Sequence, residues 1–422
     1  MPDIKRKIAF PGVLLPRKRS NGQVKTKRPE KQIKRIRYFI FLKDVLYLTV
    51  SAFGGPHAHL AMLIDIMVKK RGYVTEEELM ELNALCQILP GPTSTQTITA
   101  IGFKIGGPNL AYLTLMVWLF PAFILMTSAG ILISSLEERH VHADFTKFVM
   151  PMAVGFVAYA AYKITRKVVR SVDGIILLAV SAAVTYFLTS PFVYPVLLLG
   201  GGAITALKFK SQPIEEKRTF KVEWSNFTLW ATVLVFAAAL AGITKSMPIG
   251  LFERFYRNGS LVFGGGQAVI PLIYTEFVEF KKFLTSEEFL SGFGLVQAVP
   301  GPVFSFSAYI GALSMRDAGI GGQILGALFS TMGMFLPGTF MIFFIIRFWK
   351  ELKKYRIVKA SLEGILAASA GMVIAAGVLL FEPIEHSLVN YLIVIGSFLI
   401  LMFTRIPAPL LIIAGILAGL IF

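Results

Sequence analysis

Cysteine is nearly absent. Cys86 stands alone in 422 residues, which excludes an intrachain disulfide and any cysteine-cluster metal site and leaves packing as its expected role. Charge is scarce too, at 16% of residues against about 25% in soluble domains. The chain has no nucleotide-binding glycine loop, no His-Glu-x-x-His and no Ser/His/Asp set, so an enzyme and an ATP-driven pump within this chain are not expected. No cofactor and no metal site are expected. His57 and His59 lie two apart, which on a helix points them to different faces and argues against chelation by the pair.

What is abundant is apolar: 55% of the chain, with a mean hydropathy of +0.67. Apolar runs of about 18 residues or more recur, each long enough to cross a bilayer as a helix. This predicts an all-α polytopic membrane protein. The net charge of +17 is not a nucleic-acid signal, because most of it sits in residues 1–37, where Lys and Arg crowd against only Asp3 and Glu30. No basic–aromatic interleaving accompanies it. A cytosolic arm that sets topology and touches anionic lipid is the expected reading. No signal-peptide apolar region precedes residue 38, and a Lys-rich, Ser-poor tail is a weak organellar transit peptide.

One pattern occurs twice. Phe53-Gly54-Gly55-Pro56 is followed by Gln87 and then Pro90-Gly91-Pro92; Phe263-Gly264-Gly265-Gly266 is followed by Gln297 and then Pro300-Gly301-Pro302. Each residue of the first block has its mate 210 positions later without a gap, and Ala58, Val68, Thr75, Glu77, Glu78 and Leu85 match theirs as well. This is an internal duplication. The expected division is a basic tail at 1–37, a first repeat at 38–207, a linker and connecting helix at 208–246, and a second repeat at 247–422. Spans are expected at 44–68, 76–104, 109–135, 145–163, 172–188 and 192–207, then 227–246, then 253–279, 286–312, 319–346, 357–380, 387–404 and 406–422. That gives about six spans per repeat plus one linking helix, about 13 in all.

Loop charge orients them. Lys163–Arg170, the linker 208–225 and Arg347–Lys359 are rich in Lys and Arg and should share the side of the tail; Glu137–Asp144 and Glu382–His386 are not and should lie opposite. Lys69, Lys70 and Arg71 break the rule, with Glu76, Glu77 and Glu78 close enough to offset them. The odd number of crossings between the repeats inverts the second, and inverted repeats are the build of secondary transporters, whose substrate sits at the repeat interface near the midplane.

Pro-Gly-Pro cannot continue a helix, because two donors are missing and two rings clash with the preceding turn. Pro92 and Pro302 suit the first position of a new helix, which would leave free N–H groups at Thr93, Ser94 and Thr95, and at Val303, Phe304 and Ser305. A helix N-terminus with free donors suits an oxyanion, and lipid cannot satisfy it. The uncharged run Thr93, Ser94, Thr95, Gln96 and Thr97 makes the first break donor-rich, whereas Ser305 and Ser307 are interleaved with Phe304 and Phe306. Gln87 and Gln297 precede the breaks by a turn. The candidate substrate-binding set is therefore Gln87, Gly91, Thr93, Ser94, Thr95, Gln96, Gln297, Gly301 and Ser305. A packing kink with back-bonded hydroxyls is the plainer alternative. Intramembrane ionisable groups are functional candidates; His57, Asp65 and Glu276 are those for ion coupling, set against ion pairing with neighbouring lysines. Thr75 and Thr285, each followed by acids, read as helix N-caps.

The same residues resemble a known family, the chromate ion transporters, in its long two-domain form. The resemblance runs through Ser51–Ala61, Leu85–Gln96, Ile101-Gly102, Val262–Gly266, Glu276–Val278, Phe283–Thr285, Gly294–Phe306 and Ala308–Gly311. It covers nearly the whole chain beyond the tail, and motifs of this length are specific. The family has a tryptophan just before the Leu-Thr pair; here the residue before Leu284-Thr285 is Phe283. The resemblance implies an inner-membrane protein with two opposed halves, associated with chromate efflux and resistance, and with sulfate as the chemical analogue. The expected function is thus export of chromate or a related tetrahedral oxyanion across the cytoplasmic membrane, driven by an ion gradient. Expected partners are that oxyanion and the bilayer, with a homodimer admitted and nucleic acid not. Sulfate or other anion uptake, or channel-like conduction, is the alternative; a membrane-embedded enzyme or scaffold is disfavoured by the missing catalytic set.

Overall fold

The structure is a computed structural model. It describes residues 27–53, 55–138, 146–168, 171–188, 190–208, 222–262, 269–349, 355–404 and 406–421. Gly54, the block Phe263, Gly264, Gly265, Gly266 and Gln267, most of the basic tail and most of the linker lie outside these residues, as do parts of the loops used to orient the chain. No strand occurs among the described residues.

The helices are α1 Lys27–Ser51, α2 Gly55–Leu63, α3 Glu76–Ile88, α4 Thr93–Glu138, α5 Val149–Val168, α6 Val172–Phe187, α7 Val193–Leu207, α8 Ser225–Thr244, α9 Met247–Gly259, α10 Val269–Tyr274, α11 Ser286–Ala298, α12 Phe306–Ser314, α13 Gly319–Ile345, α14 Arg356–Leu379, α15 Leu388–Phe403 and α16 Ala408–Ile421. Among the described residues, four stretches are long and apolar enough to cross a membrane: Thr93–Leu136, Ser225–Thr244, Arg316–Ile345 and Arg356–Leu379. Shorter apolar helices include α6, α7, α15 and α16. The chain is a multi-pass α-helical membrane protein. Residues 1–40 form one unit and residues 41–422 another.

Local structure recurs at the sequence spacing of the duplication. The π-helical turns Ile64–Lys70 and Thr275–Phe280 end α2 and α10. Thr75 and Thr285 then start α3 and α11 with complete capping boxes, in which each threonine accepts from the N–H of Glu78 or Glu288 and that glutamate accepts in return. Each of these glutamates also pairs with a base beyond the break, Glu78 with Lys104 and Glu288 with Arg316 at 2.6 Å. The expected spans 76–104 and 286–312 are each interrupted at Pro-Gly-Pro. Span 44–68 is interrupted at Ala52-Phe53, and α4 kinks at Gly106 and Gly107, the latter at φ 72°.

The lone exception to the loop-charge pattern is explained locally. Lys70 pairs with Asp65 at 2.7 Å and Arg71 with Asp44 at 2.7 Å, and Tyr73 donates to the other oxygen of Asp44. Asp65 and Asp44 thus pair with two of the three cations, Lys70 and Arg71.

Packing within residues 41–422 interleaves the helices before and after the linker. α5 packs on α14 and α15, and α14 packs also on α6 and α7. Glycines permit the contacts: a Cβ at Gly155 would stand within 2.7 Å of the Val394 carbonyl oxygen, and one at Gly371 within 2.2 Å of the Leu178 carbonyl oxygen.

Candidate functional site

The two Pro-Gly-Pro breaks meet. Gly91 N–H donates to the carbonyl of Val262 at 2.7 Å, and Gly301 N–H donates to the carbonyl of Ala52 at 2.9 Å. Ala52 and Val262 are themselves mates 210 positions apart, so each break is tied to the residue just before the other copy's glycine motif. Both glycines are at positive φ, 129° at Gly91 and 114° at Gly301, a region other residues resist.

The helix after the first break begins at Thr93, one residue later than the sequence predicts. Gln96 N–H donates to Pro92 at 2.9 Å, so the N–H groups of Thr93, Ser94 and Thr95 precede the first intrahelical bond. The second break differs. Pro302 is extended at the cap position rather than inside the helix, Val303–Ser305 form a 3-10 turn, and Ser305 N–H is consumed by Pro302 at 2.9 Å. Only the N–H groups of Val303 and Phe304 remain at that end, and Ser305 N–H leaves the expected donor set.

Both breaks line one cavity. It is walled on one side by His59, Pro92, Thr93, Ser94 and Thr95 and on the other by Val269, Ile270, Ile273, Phe293, Pro302, Val303, Phe304, Phe306 and Ser307. It offers about 40 Å³ to the centre of a water-sized sphere, where roughly 10–15 Å³ holds one water. No charged side chain lines it among the described residues. One wall is polar and carries a helix N-terminus; the facing wall is almost wholly apolar.

The hydroxyls are partly committed. Thr93 Oγ1 donates to the Cys86 carbonyl at 3.4 Å, and Thr97 Oγ1 back-bonds to Thr93. Thr95 Oγ1 accepts from Trp118 Nε1 at 3.2 Å, which leaves its own proton to donate. Ser94 is 8% exposed and lines the cavity.

The other sequence-predicted residues are distributed as follows. Gln96 is not in the cavity wall; its Nε2 donates to the Pro90 carbonyl of the break at 2.7 Å and to the Gly338 carbonyl of α13 at 3.0 Å, tying the break to that helix. Gln87 and Gln297 are half-buried one turn before the breaks and do not line the cavity. Ser305 is 1% exposed and off the wall, with no partner for its Oγ among the described residues. Asp65 is half-exposed in its pair with Lys70. Glu276 is buried, bound by Arg257 Nη2 at 2.6 Å and Asn258 Nδ2 at 2.8 Å, so its partners come from α9 rather than from Lys281 or Lys282. The side chain of His57 lies outside the described residues.

Two polar wall residues fall outside the predicted binding set. Ser307 lines the cavity where Ser305 does not, although its Oγ back-bonds to Phe304 at 2.9 Å. His59 is 3% exposed, packs T-shaped with the Trp118 ring at 5.6 Å between centroids, and contacts the Ala52 carbonyl through Nε2 at 3.2 Å. Its two-residue spacing from His57 speaks against chelation and says nothing about which face meets the breaks.

A multi-pass helical membrane protein whose two helix breaks enclose a small cavity is the class that fold and site define. The chain belongs to the chromate transporter family, whose model matches residues 40–206 and 249–420. It is 29% identical over 386 residues to a probable chromate transport protein of Synechococcus elongatus, covering 89% of this chain and 93% of that one. It is 26% identical over 386 residues to the chromate transport protein of Cupriavidus metallidurans, covering 89% and 91%. To the chromate transport protein of Pseudomonas aeruginosa it is 25% identical over 339 residues, 76% of each chain. No solved structure matches the chain.

Proposed function

We propose that this protein is a secondary transporter that exports chromate, or a related tetrahedral oxyanion, across the cytoplasmic membrane, using an ion gradient. The anion sits in the cavity between the breaks, held by the N–H groups at the start of α4 and by the hydroxyls of Ser94 and Thr95. Uncharged donors and the positive end of a helix suit an anion that must be both bound and released. The observation that carries this reading is the convergence of both Pro-Gly-Pro breaks on one cavity. The repeats are read as inverted, with about 13 spans in all. The reciprocal bonds Gly91 to Val262 and Gly301 to Ala52 support that reading, since a two-fold relation generates such a pair.

The test is chromate accumulation in cells. Ser94→Ala with Thr95→Val removes two neutral donors to a charged ligand, each worth about 1.5–3 kcal/mol. Retention of chromate should rise toward that of cells lacking the protein. Unchanged retention at normal expression removes these hydroxyls from the mechanism. Flux of radiolabelled chromate in proteoliposomes, competed with sulfate and measured with and without a pH gradient, separates driven export from uptake or a passive pore.

A further inference from the structure

His59 has one ring nitrogen assigned by geometry and one left over. The Ala52 carbonyl, 3.2 Å from Nε2, can only accept, so Nε2 carries the ring proton. In the neutral ring Nδ1 is then a bare lone pair. It is buried with no partner among the described residues, and His59 lines the cavity. From α4 the wall that His59 shares carries Thr93, Ser94 and Thr95, and the Trp118 indole packs on the ring; from α10, α11 and the second break the wall offers only apolar side chains and Ser307. No carboxylate, lysine or arginine lines the cavity among the described residues.

An oxyanion here meets donors on the α4 side and, at the wall, the His59 ring with its unpartnered acceptor Nδ1. Two lone pairs opposed in a weakly polar cavity repel, and nothing formal neutralises a dianion. One proton between Nδ1 and an anion oxygen removes the repulsion and halves the buried charge. We infer that the cavity loads its oxyanion together with one proton, shared with Nδ1 of His59. This rests on the binding reading above. The proton comes from the water on the loading side and leaves with the anion, so the ring ends the cycle neutral and no bond other than N–H···O forms or breaks. The arrangement also sorts ligands. Chromate loses its last proton near neutral pH and shares one readily, whereas sulfate holds a proton only in strong acid and would leave the whole proton on the ring. Chromate is therefore favoured over an ion of the same shape.

The test is calorimetry of potassium chromate binding to the full-length protein in detergent. It is run at a pH where free chromate is the dianion, in two buffers of different ionisation enthalpy. Uptake of one proton per anion is expected for wild type, with weaker binding and no uptake for His59→Gln. Wild type binding without proton uptake, or His59→Gln taking up the same proton, overturns the inference and leaves the binding reading intact; no chromate binding by wild type overturns the binding reading itself. Should His59→Gln fail to fold, nitrogen NMR of the histidine-labelled wild type decides. One of the five histidines should shift its Nδ1 signal from the lone-pair to the hydrogen-bonded position on adding chromate, and no such shift overturns the inference.

Discussion

At the scale of single residues, the site depends on backbone geometry more than on side-chain chemistry. Gly91 combines φ 129° with close neighbours: a Cβ there would stand 2.6 Å from Gln96 Nε2 and 2.9 Å from the Gly338 Cα. Gly72 is also at positive φ, 62°, but has nothing within 4 Å. Gly72→Ala should cost about 1–2 kcal/mol for the left-handed backbone alone. Gly91→Ala should cost more, because Gln96 must shift and release two carbonyls, at about 1–3 kcal/mol each. Thermal unfolding of the two variants in detergent checks this, and equal losses would mean that the packing around Gly91 is loose. The proline–glycine breaks were legible because their chemistry is local and admits no helix. The role of Gln96 was not: a polar side chain after a break reads equally as a ligand contact or as a tie to backbone carbonyls, and only the position of Gly338 on α13 separates the two. His59 was hidden for the same reason, since its partners Ala52 and Trp118 are brought to it by the fold.

Among elements, the two copies reuse one device: a π turn, a capping box, and a base past the break that binds the capping glutamate. The capping boxes were readable from Thr-x-Glu-Glu, a short-range signal. The π turns were not, because one extra residue per turn leaves no compositional trace. The ion pairs on the preceding helices show how far the copies have diverged. In the first, Asp44 of α1 holds Arg71; in the second, Arg257 of α9 holds Glu276, so acid and base have changed sides. Glu276 is 3% exposed, and removing one partner of a buried pair strands the other. Glu276→Ala should therefore destabilise the protein by about 3–5 kcal/mol, whereas Asp65→Ala, in an exposed pair, should leave stability nearly unchanged. Denaturation in detergent distinguishes them. A stable Glu276→Ala that loses only its response to an ion gradient would return this carboxylate to the coupling step.

For the molecule as a whole, helices on either side of the linker complete one another. α5 is covered by α14 and α15, and α14 in turn by α6 and α7. A chain cut within 209–221 should assemble only when both pieces are co-expressed, with each piece alone degraded, as immunoblots of membrane fractions would show. Survival of one piece alone would mean that a half buries its own faces. Nothing in the sequence announced this interleaving. Hydropathy reports that a segment is apolar and is silent on which other apolar segment it will meet, since small residues such as Gly155 and Gly371 reveal their neighbours only in three dimensions.

The paired bonds from Gly91 to Val262 and from Gly301 to Ala52 have a further consequence. Both run from main chain to main chain, so they demand nothing of the side chains around them. One copy could keep its hydroxyls and the other fill with phenylalanine while the clasp between them stayed the same. A duplicated gene fastened in this way is free to specialise each half without renegotiating how the halves hold together.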